Sequence, residues 1–426
     1  MLLAIVISLI LLALLGMPLF IAILGIAMAG FYFADIDLMV IAIDLYRIVQ
    51  TPLLEAIPLF TFAGYLLSAS HSSQRLVRVT QSLLGWLPGG LAIVALIACA
   101  LFTAFTGASG VTIVALGALL YPALKQAGYP QRFSLGLVTS SGSLGLLFPP
   151  SLPLILFGVI ALQMEMPVAM KIEDLLVAGL LPGLLMIALL ALWSIWGQRG
   201  NTPSTQAFSL TEVKESVKDA KWEIPLPLIL LGGIYSGFFA LSEAAVVTVI
   251  YLLIVEVLIY KDIKPKQIPE LVTEAMVMVG GILIILASSL VLTSYFIEIE
   301  APTALFDWVT KHIESPLSFL MMLNIFLLIL GAFLDIFSAI VIMVPLLLPI
   351  AASFGIHPVH LGVIFLANMQ IGYMTPPVGM NLFIASYRFG KPITEIYRST
   401  VGFMLILLMA LIIITYWPQL SLVFVD

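Results

Sequence analysis

Charged residues are scarce in this sequence. Only 9% of its 426 residues are Asp, Glu, Lys or Arg, whereas soluble globular domains have about a quarter. Hydrophobic residues make up 62% of the chain and fall in many long runs, so lipid and not water is its main solvent. The short alternating strands of a membrane barrel are not seen. The composition therefore predicts an all-α integral membrane protein with many spans.

Other absences narrow the function. The single cysteine, Cys99, excludes a disulfide framework within the chain and lies in an apolar run, as a small apolar side chain would. No phosphate-binding P-loop is present, so we expect the chain not to hydrolyse ATP itself. Nothing in the sequence indicates a nucleic-acid partner. The histidines show no metal-site spacing and are predicted to be surface residues beside polar turns. They are His71, His312, His357 and His360.

Lys and Arg are absent from the first 46 residues and from the tail after Arg398. The basic residues in the middle of the chain lie largely in two loops, 199–224 and 261–266, on either side of a pair of short apolar segments. Positive residues accumulate on the cytoplasmic side of membranes, so we predict that both loops are cytoplasmic and both termini outside. In the first loop, Ser209 and Glu212 predict the start of a short amphipathic helix.

The sequence repeats itself at an offset of 227 residues, the distance from Pro122 to Pro349. The same offset relates two polar breaks in apolar sequence, TSSGSLGLLFPPS (139–151) and NMQIGYMTPPVG (368–379). We therefore divide the chain into a first half (1–199), a cytoplasmic linker (200–226) and a second half (227–426). The sequence itself leaves open whether the repeats are parallel or inverted. The other matched pairs are Gly128 and Gly355, Gly145 and Gly372, Pro149 and Pro376, and Pro150 and Pro377.

Each half contains a second, earlier break, at Phe105 to Thr112 and at Gly331 to Asp335. A broken membrane helix leaves backbone groups unpaired, which a bilayer tolerates only where protein or a water-lined site satisfies them. Helix C-termini then offer carbonyl oxygens to a cation such as Na⁺, and N-termini offer N–H groups to an anion. Breaks at corresponding positions of two halves therefore predict a transporter binding site between them.

Polar side chains at the breaks are candidate ligands for either ion, although small residues also let helices pack closely. Asp335 is a candidate Na⁺ ligand or proton carrier, and capping of the following helix is the alternative. Glu55 and Glu243 are weaker candidates, the first beside the interface and the second at a turn. Ser288 is interpreted either as a packing residue or as a cation ligand. The hydroxyl candidates are Thr106, Ser109, Thr112, Ser140, Ser141 and Thr375.

A series of motifs resembles the large membrane subunit of TRAP transporters, the tripartite ATP-independent periplasmic transporters of bacteria and archaea. The resemblance runs in order along nearly the whole chain. Its motifs are IPLFTFAG (57–64), LPGGLA (87–92), FTGASGVT (105–112), the turn with Pro122 and Gly128-Tyr129, LGLLFPPS (144–151), GAFLD (331–335) and MTPPVG (374–379).

The resemblance implies a multi-pass protein of the bacterial inner membrane that imports organic acids with a Na⁺ gradient. C4-dicarboxylates and sialic acid are both compatible substrates. Two inverted repeats with re-entrant hairpins and broken helices would form a scaffold and a transport domain that moves as an elevator. The implied partners are a separate small four-helix membrane subunit and a periplasmic substrate-binding protein.

The resemblance also implies site residues, with Na⁺ as the coupling ion. Na⁺ is expected at Thr106, Gly107, Ser109, Ser288, Gly331, Asp335 and Gly372. Substrate is expected at Thr112, Ser140, Ser141, Gly142, Pro149, Pro150, Thr375, Pro376 and Pro377. Ala108 departs from the more serine-rich family pattern, which removes one hydroxyl ligand.

Three alternatives compete with this hypothesis. A single-component Na⁺/divalent-anion symporter would use similar broken helices without a binding protein. A rhomboid-like serine protease would use the GASG sequence at 107–110, but it needs a histidine within reach of Ser109 at membrane depth. A purely structural scaffold would leave four costly polar breaks unexplained. We therefore predict a transporter and not an enzyme.

Overall fold

The computed structural model describes residues 1–14, 17–49, 55–87, 89–164, 170–197, 208–236, 238–300, 311, 313, 315–376 and 378–425. Its helices in the first half are α1 (Leu2–Leu14), α2 (Leu19–Phe33), α3 (Met39–Val49), α4 (Ala56–Ala69), α5 (Ser72–Leu84), α6 (Gly90–Thr106), α7 (Ser109–Gln126), α8 (Gln131–Ser141), α9 (Leu152–Gln163), α10 (Ile172–Ala178) and α11 (Leu180–Gly197). Those of the linker and second half are α12 (Leu210–Asp219), α13 (Pro225–Tyr235), α14 (Leu241–Leu252), α15 (Ile268–Glu298), α16 (Pro316–Phe333), α17 (Ile336–Ser353), α18 (Pro358–Gly372), α19 (Met380–Phe389), α20 (Ile393–Tyr416) and α21 (Gln419–Leu422).

Seven segments of the described chain are long and apolar enough to cross a membrane. One of them, Gln131–Gln163, contains the first Pro-Pro break, and 94% of its most apolar part is buried within the protein. That segment is surrounded by other helices and not by lipid, which is where broken backbone is tolerated. The prediction of an all-α protein with many spans and broken helices is confirmed.

The 227-residue offset holds for the ends of helices as well as for glycines and prolines. It separates the ends of α6 and α16, the starts of α7 and α17, the ends of α7 and α17, and the starts of α8 and α18. The two earlier breaks therefore fall at the same place in each half. The duplication is a property of the backbone and not only of a few residue types.

The core has one large part and smaller satellites. The large cluster includes residues of α6 to α11 and α16 to α20, and so contains the breaks of both halves. A separate cluster joins α2 to α15, where Phe31 stacks edge-on against Tyr295. Another joins α4, α14 and the start of α15. The long helix α15 thus contributes to all three clusters, with Ala275 in the α4 cluster, Ile282 and Leu286 in the large one, and Tyr295 in the α2 cluster.

Two local predictions concern the helix in the linker and the surface position of the histidines. The predicted amphipathic helix is confirmed as α12, because the Ser209 hydroxyl accepts the Glu212 N–H at its start, 3.3 Å away. The prediction of a surface position is wrong for His360, which is 2% exposed. Its ring lies 3.2 Å from both the Ser421 hydroxyl and the Thr415 carbonyl, so polar groups of α20 and α21 satisfy it in the interior. His312 lies outside the described residues.

Candidate transport site

The two breaks of the first half pack against each other. The Thr103 hydroxyl, near the end of α6, lies 2.8 Å from the Gly142 carbonyl oxygen and 2.7 Å from the Thr112 hydroxyl. Gly145 passes so close to α6 that a Cβ there would lie 2.2 Å from the Ala100 carbonyl oxygen. Gly107 ends α6 with φ +65°, a conformation that favours glycine. The early and late breaks of this half therefore form one compact unit.

The two breaks of the second half meet in the same way. A Cβ added to Gly372 would lie 2.6 Å from the Gly331 Cα, so these glycines let α16 and α18 touch. Gly379 donates its N–H to the Ala332 carbonyl at 3.1 Å. The Tyr373 hydroxyl accepts the Ile336 N–H at 2.5 Å, at the start of α17. Gly331 and Gly372, both expected near Na⁺, are therefore in direct contact.

The units of the two halves are joined directly. Ser109, at the start of α7, donates a 2.8 Å hydrogen bond to Asn381 Oδ1 on α19. The Ser143 hydroxyl lies 3.4 Å from the Gln370 carbonyl. All four residues are buried in the protein interior. The four breaks therefore converge on one region between the halves.

The corresponding helices α7 and α17 begin differently. Asp335 is the N-cap of α17, and its Oδ1 accepts the N–H groups of Phe337 and Ser338, both at 3.0 Å. The capping alternative for Asp335 is therefore observed. Ala108 occupies the matching position before α7 and provides no side-chain cap. The first N–H groups of α7 therefore receive no hydrogen bond from the N-cap side chain. Such free N–H groups at a helix start can bind an anion.

Several buried polar atoms at the breaks have no hydrogen-bond partner among the described residues. Asn381 Nδ2 is an unpaired donor in a residue that is 0% exposed. Thr106 Oγ1 and Ser140 Oγ are unpaired hydroxyl oxygens, and so is Thr61 Oγ1 on α4. Thr61 lies one turn from Gly64, which packs directly on the Thr106 backbone. Unpaired buried polar atoms are rare and indicate a ligand or an ordered water.

Other predicted site residues have partners within their own helices. Ser288 donates to the Ile284 carbonyl at 2.8 Å within α15. Ser141 and Thr375 also bond to carbonyls one turn back. Glu55 and Glu243 are exposed, and Glu243 accepts the Ala240 N–H at the turn before α14.

The predicted prolines divide between interior and surface. Pro149 and Pro150 are buried, whereas Pro376 is exposed, and Pro377 lies outside the described residues. The main residues that the sequence interpretation missed are Asn381, Thr103 and Thr61. Thr103 and Asn381 are polar side chains in apolar helices within a turn of a break, and that position was the available signal. Thr61 is brought to the first break only by packing of α4, through Gly64, on the Thr106 backbone.

Paired, mutually packed helix breaks with unpaired polar atoms beside them are typical of membrane transporters. The chain matches the family model described as "Tripartite ATP-independent periplasmic transporter, DctM component" over residues 6–420. It is 35% identical over 383 residues to the C4-dicarboxylate TRAP transporter large permease protein DctM of Pseudomonas aeruginosa, covering 90% of this chain and 88% of that protein. It is 33% identical over 425 residues to the protein of the same name from Rhodobacter capsulatus, covering 97% and 96%.

A solved structure supports the fold. The YdaH transporter of Alcanivorax borkumensis superposes with a TM-score of 0.63 at 14% identity, covering 90% of this chain and 88% of that one. The present chain therefore belongs to the DctM family of TRAP transporter large permeases and is a multi-pass protein of the bacterial inner membrane. The resemblance in the sequence motifs is confirmed.

Proposed function

We propose that this chain imports an organic acid and Na⁺ together, by moving a transport domain built from both halves. The convergence of four helix breaks, with the unpaired Asn381 amide donor and unpaired hydroxyls on the helices that form them, is the observation that supports it. The C-terminal end of α6, with its carbonyl oxygens, and the N-terminal end of α7, with its N–H groups, lie next to each other in the first break. The first end can bind a cation and the second an anion. Simultaneous occupation of both would let a Na⁺ gradient drive uptake of the acid.

The carboxylate of the substrate is assigned to the start of α7. Two kinds of donor point to it: the uncapped N–H groups after Ala108 and the unpaired Nδ2 of Asn381. Ser109 holds the amide of Asn381 in place through Oδ1, which leaves Nδ2 as the free donor. Neutral and dipolar donors of this kind bind a carboxylate without a buried lysine or arginine.

Na⁺ is assigned to the C-terminal end of α6. Carbonyl oxygens end the helix there, and the buried Thr106 hydroxyl has no partner among the described residues. Oxygen atoms of this type are the ligands that hard cations take. Asp335 supplies a carboxylate in the other half, where it already caps α17. Its remaining oxygen, hydrogen-bonded to the Ser338 hydroxyl, is the atom available to a cation.

The elevator movement is assigned from the core. The cluster around the breaks draws on both halves, while α2 and part of α15 pack in a cluster of their own. We assign the first set to the moving domain and the second to the scaffold. The small membrane subunit and the periplasmic binding protein complete the tripartite system named in the family description.

Uptake into proteoliposomes tests the proposal. The vesicles contain this chain with its small subunit, the binding protein is added outside, and a radiolabelled C4-dicarboxylate is the first substrate tried, as in the names of the two relatives. We expect uptake to require an inward Na⁺ gradient and the binding protein. Equal uptake without Na⁺ would contradict the coupling. Equal uptake without the binding protein would favour the single-component symporter.

A further inference from the structure

A buried ion cluster joins α5 to the end of the linker, to the π-helical segment that continues α14 (Leu253–Ile259) and to the loop after that segment. The proposed transport function does not use it. The Arg75 guanidinium lies at its centre and contacts three carboxylates. Its Nε and Nη2 lie 2.8 and 2.7 Å from Glu223 Oε1, and Nη2 also lies 3.2 Å from Glu256 Oε2. Its Nη1 lies 2.8 Å from Asp262 Oδ2. The side chains of Glu223, Glu256 and Asp262 are only 4%, 0% and 12% exposed.

The charges of this cluster do not balance. One guanidinium faces three carboxylates, so the cluster carries two net negative charges if all three are ionised and His71 is neutral. His71 Nδ1 lies 3.0 Å from Asp262 Oδ1, on the exposed side of the cluster. The two buried glutamates therefore have only the Arg75 guanidinium as a counter-charge, and Asp262 also pairs with it. Like charges buried this close together are unfavourable unless one of them is neutralised.

In the described part of the chain, no cation besides Arg75 and His71 forms an ion pair with these three carboxylates. The Tyr260 ring lies 4.0 Å from the Arg75 guanidinium carbon, and its hydroxyl bonds to the Asp219 carbonyl. The Tyr251 hydroxyl bonds to the Trp222 carbonyl, next to Glu223. The nearby Arg78 is occupied by carboxylates of α12, namely Glu212, Glu215 and Asp219.

Hydrogen counting at Ser72 shows where a proton is missing. The Ser72 hydroxyl has one hydrogen, yet its Oγ lies 2.6 Å from Glu223 Oε1 and 3.0 Å from Glu256 Oε1. One hydrogen cannot serve both contacts well. If Glu256 carries a proton, its Oε1 donates to Ser72 and Ser72 donates to Glu223 Oε1, so each of the two contacts has a hydrogen of its own. Ser72 Oγ also accepts from the Ser70 hydroxyl at 2.7 Å, which does not use its hydrogen. The other oxygen of Glu223, Oε2, is buried and has no partner in the described part of the chain.

We propose that the Glu223–Ser72–Glu256 triad is a proton-binding site that fastens the linker to α5. One proton is held between the two glutamates through the serine hydroxyl. With this proton bound, Arg75 faces only two ionised carboxylates, those of Glu223 and Asp262. Asp262 also contacts His71. Loss of the proton places a second uncompensated charge in a buried site and loosens the contact of the linker segment at Glu223 with Ser72.

Infrared difference spectroscopy of the full chain in detergent tests the proposal directly. A protonated carboxylic acid has a C=O stretching band that a carboxylate lacks. We expect the wild type to show such a band at neutral pH, which disappears on raising the pH. Glu256→Gln should abolish it, whereas Glu215→Gln, at an exposed position on α12, should leave it unchanged. A wild type without the band at neutral pH, or a band that survives Glu256→Gln, would overturn the proposal.

Thermal stability gives a second reading. Glutamine is close in shape to protonated glutamic acid, so Glu256→Gln should melt within a few degrees of the wild type at neutral pH. The wild type should lose melting temperature as the pH rises and the proton leaves, while Glu256→Gln should lose less. A Glu256→Gln chain that fails to fold, or melts far below the wild type at neutral pH, would show that the glutamate is needed as an anion and would contradict the proposal.

Discussion

Ser143 and Gln370 are repeat counterparts, 227 residues apart, and they contact each other through the Ser143 hydroxyl and the Gln370 carbonyl at 3.4 Å. A residue that touches its own counterpart lies close to the axis that relates the two halves. The later breaks of both halves therefore meet at this axis. A site at such a position is formed by both halves and is lost if either is displaced, as the proposed coupling of two substrates requires.

Asn381→Leu should weaken substrate binding. Its unpaired Nδ2 is the proposed donor to the carboxylate, and a hydrogen bond to a charged group contributes about 1.5–3 kcal/mol. We expect the KM for uptake to rise roughly tenfold or more, since about 1.4 kcal/mol is a factor of ten. Asn381→Asp should be worse, because it places a negative charge beside the anion.

Ser399→Ala is the control for Asn381, since it removes a buried hydroxyl that bonds within α20 to the Glu395 carbonyl. It should leave KM unchanged. An Asn381→Asp variant with the KM of the wild type would show that the carboxylate binds elsewhere.

Thr106→Val should raise the Na⁺ concentration needed for half-maximal uptake severalfold, while thermal stability changes little. The hydroxyl has no partner among the described residues, so its removal breaks no hydrogen bond there. Thr103→Val is the matched variant, because its hydroxyl contacts Cys99, Thr112 and Gly142. It should cost about 1–3 kcal/mol of stability by leaving buried groups unpaired. An unchanged Na⁺ dependence for Thr106→Val would exclude this hydroxyl as a ligand.

Asp335 has two roles that substitution separates. Asparagine also caps helices well, so Asp335→Asn should keep stability and raise the Na⁺ requirement if the carboxylate binds the ion. Asp335→Ala should lose about 1 kcal/mol of stability in addition. Uptake is measured against Na⁺ concentration for both, together with melting temperature. If Asp335→Asn shows the same Na⁺ dependence as the wild type, the carboxylate is not a Na⁺ ligand and helix capping is its role.

Gly372→Ala should destabilise the second half, because its Cβ would lie 2.6 Å from the Gly331 Cα. Overpacking of this kind costs typically about 1–3 kcal/mol. Gly280→Ala is the control, since a Cβ there meets nothing within 4 Å in the middle of α15. That variant should be neutral or slightly more stable, as alanine favours helix. Equal melting temperatures for the two variants would contradict the tight glycine contact.

Asp262 should make the linker cluster sensitive to acid. Burial alone would raise the pKa of Asp262, but hydrogen bonds from the His71 N–H and side chain and from Arg75 outweigh it and hold the pKa below its ordinary value. A lowered folded pKa stabilises the protein above the unfolded value, about pH 4, and this contribution is lost as the pH falls towards the folded value. The melting temperature of the wild type should therefore fall below about pH 4, and that of Asp262→Asn should fall less. A parallel fall in both would exclude Asp262 as the source.

The sequence alone predicted the class, the repeat and the four breaks, because each rests on local chemistry. Long apolar runs require lipid, and glycine and proline end helices wherever they stand. It also predicted the start of α12 from Ser209 and Glu212. His360 was misplaced because one sequence does not show that Ser421 and Thr415, 61 and 55 residues away, would surround its ring.

Which polar residues share a site was decided only by tertiary structure. Ser109 and Asn381 are 272 residues apart, and nothing local to either indicates that they bond. The same holds for Arg75 with Glu223 and Glu256, which come together only when the linker and the helical segment after α14 both pack against α5. Local sequence determines where a helix breaks, since that depends on the backbone of a few residues. The partners of a broken end depend on the packing of the whole chain.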